Sequence, residues 1–275
     1  MSKVFSKLED IDRRYYYWAI FLILAVPFIK PLGMPISIKQ STRDLYKGVD
    51  QVEPGEVVLI DWHMSVSTWP ECLDGLVAEL KVLTSHDVKI VITSISVDCE
   101  MSWNKVNQLV PALRDKYEYG KDIVFLGYYA GGEPTNQQMA IDVWSVFPTD
   151  HFKTPIAELP LMAEARTAND YAIVLTTGEN EIVWVNQWWT PYGVPVGVMG
   201  IAMKGSALQP YYNSGDIFGL AVGVRGGAEF ELLIGEPAGA VTRMDSISLS
   251  HLSVVILIII ANTGVLYNKL TGGKK

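Results

Sequence analysis

Two apolar stretches, one near each end of the chain, constrain this sequence more than anything else in it. The second, Leu252 to Tyr267 (LSVVILIIIANTGVLY), is sixteen residues long, and adding Ile247 and Leu249 brings it near the length needed to cross a bilayer. At the helical rise of about 1.5 Å per residue, the sixteen alone cover roughly 24 Å of a hydrocarbon core about 30 Å thick. The first runs from Tyr15 to Ile29 and opens on YYYW, aromatic rings suited to the headgroup level of a bilayer. After Ile29 the chain continues KPLGMPISI, which has no small-x-small cleavage site, so the stretch reads as an anchor and not as a removable leader.

These ends divide the chain. The expectation is a tail over 1–14, a transmembrane helix over 15–31, a linker over 32–54 in which STRDLYKGVDQV could make a short helix, a folded domain over 55–246, a second transmembrane helix over 247–268 and a tail over 269–275. Arg13 and Arg14 precede the first span, and Lys269, Lys274 and Lys275 follow the core of the second. The positive-inside rule then puts both termini in the cytoplasm and the central domain outside the cell membrane. Asn262 and Thr263 are polar groups within the second span, and Ala261 and Gly264 beside them permit close helix approach.

Between the anchors the pattern alternates. GEVVLIDW (55–62) follows a Pro-Gly turn and is rich in β-branched residues, as a strand buried on both faces would be. ECLDGLVAELKVLTS (71–85) then places Leu73, Leu76, Val77, Leu80 and Leu83 at helical spacing. The unit recurs, with strands over 88–97, 122–132, 171–178 and 194–201 and helices over 103–120, 135–147 and a Trp-rich segment ending at Trp189. Strands alternating with amphipathic helices imply right-handed βαβ units. The fold class expected is therefore α/β, a three-layer, Rossmann-like domain with a mainly parallel sheet of about five strands, flanked by N- and C-terminal transmembrane helices. After the last of these strands, Gly215, Gly219, Gly223 and Gly227 recur every four residues, which predicts a helix with a glycine stripe for close packing. The stripe, together with Asn262, is the candidate interface for a homo- or hetero-oligomer.

The segments GEVVLIDW…PE, IVFLGYYAGGE, WVNQWWTPYGVPV, YYNSGDIFGLAVGVRGGAEFE and the Asp-Ser-x-Ser-x-x-His lead into the final span resemble a family of prokaryotic membrane proteins anchored by terminal helices. The resemblance covers most of the chain. It implies the architecture and carries no activity.

In a parallel sheet, ligands bind beyond the carboxyl ends of the strands. Those ends are polar here, and the candidate ligand-binding residues are Asp61, His63, Ser65, Asp98, Tyr128, Gly131, Gly132, Glu133 and Thr177. Asp61, His63, Asp98 and Glu133 supply mixed oxygen and nitrogen donors for a candidate metal site, and the competing reading makes them caps and turn residues. His63-x-Ser65-x-Ser67 resembles the metal loop of von Willebrand A-type domains with His in place of the leading Asp. There is no G-x-S-x-G elbow, no Walker A loop and no G-x-G-x-x-G after a strand, so no cofactor and no catalytic residue is named. Trp184, Trp188 and Trp189 either form an exposed patch or bury two rings against the sheet. Cys72 and Cys99 are expected as two separately buried thiols, with a disulfide as the alternative.

The net charge of −8 argues against a nucleic-acid surface. Two functions from different classes follow. One is a structural or accessory subunit of a membrane complex, docking through the glycine stripe. The other is an extracytoplasmic domain, possibly hydrolytic, that binds a small ligand or metal at the strand ends.

Overall fold

The computed structural model describes residues 12–179 and 181–270. Two compact units make up the chain, one formed by Ile36–Ala240 and the other by the segments before and after it. In the larger unit, β1 (Val57–Trp62), β2 (Lys89–Ser94), β3 (Ile123–Tyr128), β4 (Ile173–Gly178), β5 (Val196–Gly200) and β6 (Gly219–Val222) form one sheet. Their order is β3-β2-β1-β4-β5-β6. Every pairing is parallel.

Strict alternation along each strand builds two cores. Val58, Ile60 and Trp62 of β1 face one hydrophobic cluster, while Val57 and Leu59 face the other. The first cluster is closed by α2 (Gln40–Asp50), α3 (Trp69–Ser85), α4 (Cys99–Leu109) and α8 (Gly223–Leu233), through Leu45, Leu76, Val106 and Phe230. The second is closed by α5 (Glu133–Ile141), α6 (Glu181–Trp184) and α7 (Gly205–Ser214), through Met139, Trp184 and Leu208. The three layers are those of a Rossmann-like α/β fold. The turn Val185–Trp189 that continues α6 is a π-helix, an irregularity that often accompanies functional sites.

The structure differs from the sequence reading in three places. The sheet has six strands, because GLAV at Gly219–Val222 pairs with β5 at the edge. The linker expected over 32–54 contains α2, whose Leu45 and Val49 are fully buried, so the fold begins well before residue 55. The apolar C-terminal helix, α9 (Gly239–Leu270), starts eight residues ahead of the expected boundary at Ile247. Within the larger unit, Glu231 receives the backbone N–H groups of Ala238 and Ala240 at 2.8 and 2.9 Å, placing negative charge at the start of α9.

In the smaller unit, α1 (Arg13–Ile29) is capped by Asp12, whose carboxylate accepts from the Arg14 N–H at 3.0 Å. The turn after α1 wraps three backbone N–H groups, those of Leu32, Gly33 and Met34, around the buried Asp245 carboxylate of α9 at 2.8 to 2.9 Å. A concave run of N–H groups of this kind holds an anion, and here the anion is the chain's own. Among the described residues one helical stretch, Gly239–Ile259, is long and apolar enough to cross a membrane; the apolar part of α1, Arg14–Ile29, is shorter. Asn262 and Thr263 donate to the Ile258 and Ile259 carbonyls of their own helix, which gives each polar group one partner within that helix.

Candidate functional site

The strand order reverses direction between β1 and β4, so the two connections that leave these strands run to opposite faces of the sheet. This switch point is where open α/β folds bind ligands. Asp61 and Thr176 are register partners across it, as are Trp62 and Thr177. Thr93 of β2 lies on the other side of Asp61. Polar residues therefore end both central strands, on both faces.

On the α6 face, the fully buried Asp61 accepts a hydrogen bond from Trp184 Nε1 at 2.7 Å. Trp188 packs 5.1 Å from Trp184 and donates its Nε1–H to the Asn136 carbonyl. Two tryptophans are thus buried against the sheet with Trp189 half-buried beside them, and no exposed aromatic patch forms. The Asn136 amide and the Thr176 hydroxyl are buried on this side, and neither has a hydrogen-bond partner among the described residues.

The carboxyl tips hold a second group. Gly178 adopts φ +115°, and a Cβ there would fall 2.0 Å from the His63 carbonyl oxygen, so only glycine lets the β4 exit lie directly on the β1 exit. Burial holds the His63 imidazole below its ordinary range; Glu179 opposes that shift and Lys204 adds to it. Its Nδ1 is buried without a hydrogen bond among the described residues, as is the Thr177 hydroxyl. Glu181, the first residue of α6, is 1% exposed, and neither carboxyl oxygen has a hydrogen-bond partner among the described residues within ordinary distance limits. Burial pushes its pKa up, and Lys204, with Nζ 3.5 Å from Oε2, pulls against that. Lys204 also donates to the Glu179 carbonyl at 2.9 Å. The missing side chain at Gly200 makes the room: a Cβ there would lie 3.3 Å from Glu181 Oε1.

Cys72, in the first turns of α3, is buried, and its thiol is pushed up by burial and by Glu71, Glu181, Glu79 and Glu179. Such a thiol stays protonated and is a poor nucleophile. Cys72 and Cys99 are both free and buried, the first of the two states expected for them. The chain matches no family model, no curated protein and no solved structure.

Of the residues expected from sequence, Asp61, His63 and Thr177 come together at the switch point. Ser65 and Asp98 form a neighbouring exposed turn: Ser65 shares a 2.6 Å hydrogen bond with Ser67, and Asp98 accepts from the Val66 N–H at 3.1 Å. Tyr128 ends β3, Gly131 and Gly132 form the turn after it and Glu133 opens α5, all following a strand two places away from β1. Tyr128 lines a separate cleft of about 480 Å³ with Tyr129, Thr135 and Gln138, and Glu133 accepts from Gln187 Nε2 at 2.8 Å.

The four expected metal ligands are not one group. Among the described residues, no set of three or more His, Cys, Asp or Glu side chains is arranged to hold an ion. The physical reason is strand spacing: β2 lies between β1 and β3, so Glu133 starts roughly 10 Å from Asp61 at about 4.8 Å per strand.

The glycine stripe is not formed either. Gly215 closes α7 at φ +86°, Gly219 opens β6, Gly223 opens α8 at φ +59°, and only Gly227 lies within a helix. Close approach is what these glycines permit, but inside the domain. A Cβ on Gly219 would lie 2.2 Å from the Leu45 Cα, and one on Gly227 would lie 3.3 Å from the Gly75 nitrogen.

Glu181, Lys204 and Asn136 were not found from sequence. Glu181 and Lys204 follow β4 and β5, the expected position for site residues, but only the strand order makes those two exits neighbours beside the switch point.

Proposed function

We infer that this protein is a membrane-anchored α/β protein whose domain binds a small polar molecule over the carboxyl ends of β1, β4 and β5. The observation that carries this reading is a set of buried polar atoms with no hydrogen-bond partner among the described residues at the place where this topology forms a ligand crevice: the Thr177 hydroxyl, His63 Nδ1 and the Glu181 carboxyl, the last with only the Lys204 ion pair at 3.5 Å. Leaving such groups unpaired costs about 1–3 kcal/mol each, and a ligand that pairs with them recovers that free energy. The alternative of an accessory subunit docking through a glycine stripe loses its main support, because those glycines are used within the domain.

His63 and Glu181 also have the properties of proton-transfer groups, an imidazole held neutral and a carboxyl held toward its protonated form, on either side of the β4 exit. With Cys72 protonated and no nucleophile elbow in the sequence, binding is favoured over covalent chemistry. The α9 stretch Gly239–Ile259 supports anchorage to a bilayer, and the basic flanks support the two-span arrangement with both termini cytoplasmic and the domain outside.

Thermal unfolding of the full chain in detergent, scanned against a library of small polar metabolites, tests the binding reading. A stabilising compound should lose its effect in Thr177→Val and in Glu181→Gln. Compounds that stabilise both variants as strongly as the parent would move the site elsewhere and end this reading.

A further inference from the structure

The balance of charge over the strand ends points to the class of ligand. Four acidic side chains, Glu71, Glu79, Glu179 and Glu181, lie close enough to Cys72 to push its thiol up, although burial holds two of them, Glu79 and Glu181, toward the protonated form. Against them stands Lys204, already engaged with the Glu179 carbonyl at 2.9 Å. Lys204 reaches Glu181 only at 3.5 Å, an ion pair at the long limit of a hydrogen bond. Glu181 is thus a buried carboxyl whose oxygens have an incomplete cationic partner. The Thr177 hydroxyl and His63 Nδ1 are two further buried atoms able to accept from a ligand's N–H or O–H groups.

An anion is disfavoured at the same place. The turn from β1 into α3 reads HMSVST, with no glycine to bring backbone N–H groups onto a phosphate. The first turn of α3 carries Glu71, whose carboxylate accepts from the Ala202 N–H at 2.7 Å. The anion position of a nucleotide-binding α/β domain is therefore taken by the chain's own negative charge.

We propose that the ligand of this site is a small organic amine, bound as its ammonium ion by Glu181, with its remaining N–H or O–H groups donated to Thr177 and His63. The proposal rests on the binding reading given above and narrows it to one chemical class. Lys204 is then an internal competitor, a tethered ammonium that partly fills the position the ligand's ammonium takes. This makes the two charged residues act with opposite signs. Removing the charge of Glu181 weakens binding, and removing that of Lys204 strengthens it.

The test uses the full chain in a polyoxyethylene detergent and an amine-free buffer at constant ionic strength. Putrescine and ethanolamine are titrated by calorimetry, with inorganic phosphate, adenosine monophosphate and sorbitol as probes of other classes. Both amines should bind and the other three should not. Glu181→Gln should weaken putrescine binding about tenfold or more, the effect of losing one charge-assisted hydrogen bond, and Lys204→Gln should strengthen it. Should Glu181→Gln fail to give the parental circular dichroism spectrum, Thr177→Val takes its place and should weaken ethanolamine binding.

Amine binding that ignores all three substitutions would be adsorption to an acidic surface and would overturn the proposal. Phosphate, nucleotide or sorbitol binding that depends on Glu181 or Thr177 would also overturn it while leaving the site itself standing. No binding by any probe would count against both.

Discussion

Glu79 is a carboxyl in the middle of α3 with 1% of its surface exposed and neither oxygen hydrogen-bonded among the described residues. Burial raises its pKa to about 8. Below the usual carboxylate range, the folded and unfolded chains are both protonated at this position and it has no effect on stability. As pH rises, the unfolded chain ionises first, so the folded state loses about 1.4 kcal/mol per pH unit until Glu79 itself ionises near pH 8. Thermal unfolding of the full chain between pH 5 and 8 should show that decline, and Glu79→Gln, which cannot ionise, should flatten it. An unchanged slope in the variant would mean that the carboxyl is paired in solution. Gly178 sets a backbone limit of the same local kind. Gly178→Ala places a methyl group against the His63 carbonyl at a φ that L-residues avoid, and should lower stability by about 2–4 kcal/mol. A loss under about 1 kcal/mol in denaturant titration would mean that the two strand exits move apart easily.

Among elements, the pairing of α2 with β6 has the least room to adjust. The sequence reading admitted a short helix at the place of α2 but assigned it to a linker, and had no strand at β6; the two meet where Gly219 lies against the Leu45 backbone. Gly219→Ala should therefore cost about 3 kcal/mol, since helix and strand must separate to admit one methyl group. Gly193→Ala, which also removes a glycine but has open space around it, should cost about 1 kcal/mol. Equal losses at the two positions, read from urea midpoints, would show that backbone conformation and not packing limits the edge of the sheet. The four-residue glycine period was legible, but its meaning was not. A period of four also fits glycines that end or open elements, and the positive φ at Gly215 and Gly223 puts both at such boundaries.

For the whole molecule, the proposed topology makes the domain accessible from outside the cell. Gln108 is exposed on α4, and both native cysteines are buried, so a Gln108→Cys variant offers one reactive thiol. An impermeant maleimide should label it in intact cells. Labelling that appears only after lysis would place the domain in the cytoplasm and reverse the orientation. Alkaline carbonate should leave the chain in the membrane fraction, because about 32 Å of apolar helix over Gly239–Ile259 is enough to span the hydrocarbon core. Release into the supernatant would exclude an integral anchor.

Local chemistry in the sequence determined most of the elements. Runs of β-branched residues gave β1 to β5, 3.6-residue spacing gave α3, and polar residues marked where the strands end, because burial on two faces leaves a periodic record in a single segment. Asp61, His63 and Thr177 could be named for that reason. Which strands lie side by side leaves no such record, since the hydrophobic pattern of β4 would suit any central position in the sheet. The order β3-β2-β1-β4-β5-β6 alone sets β4 between β1 and β5, so that the β4 exit meets His63 on one side and the Lys204 segment after β5 on the other, while Glu133 follows β3 on the far side of β2. Burial works at the same level. A glutamate is written identically in the sequence whether it lies on a solvated helix or, like Glu79 and Glu181, in an interior where its charge has little to pair with.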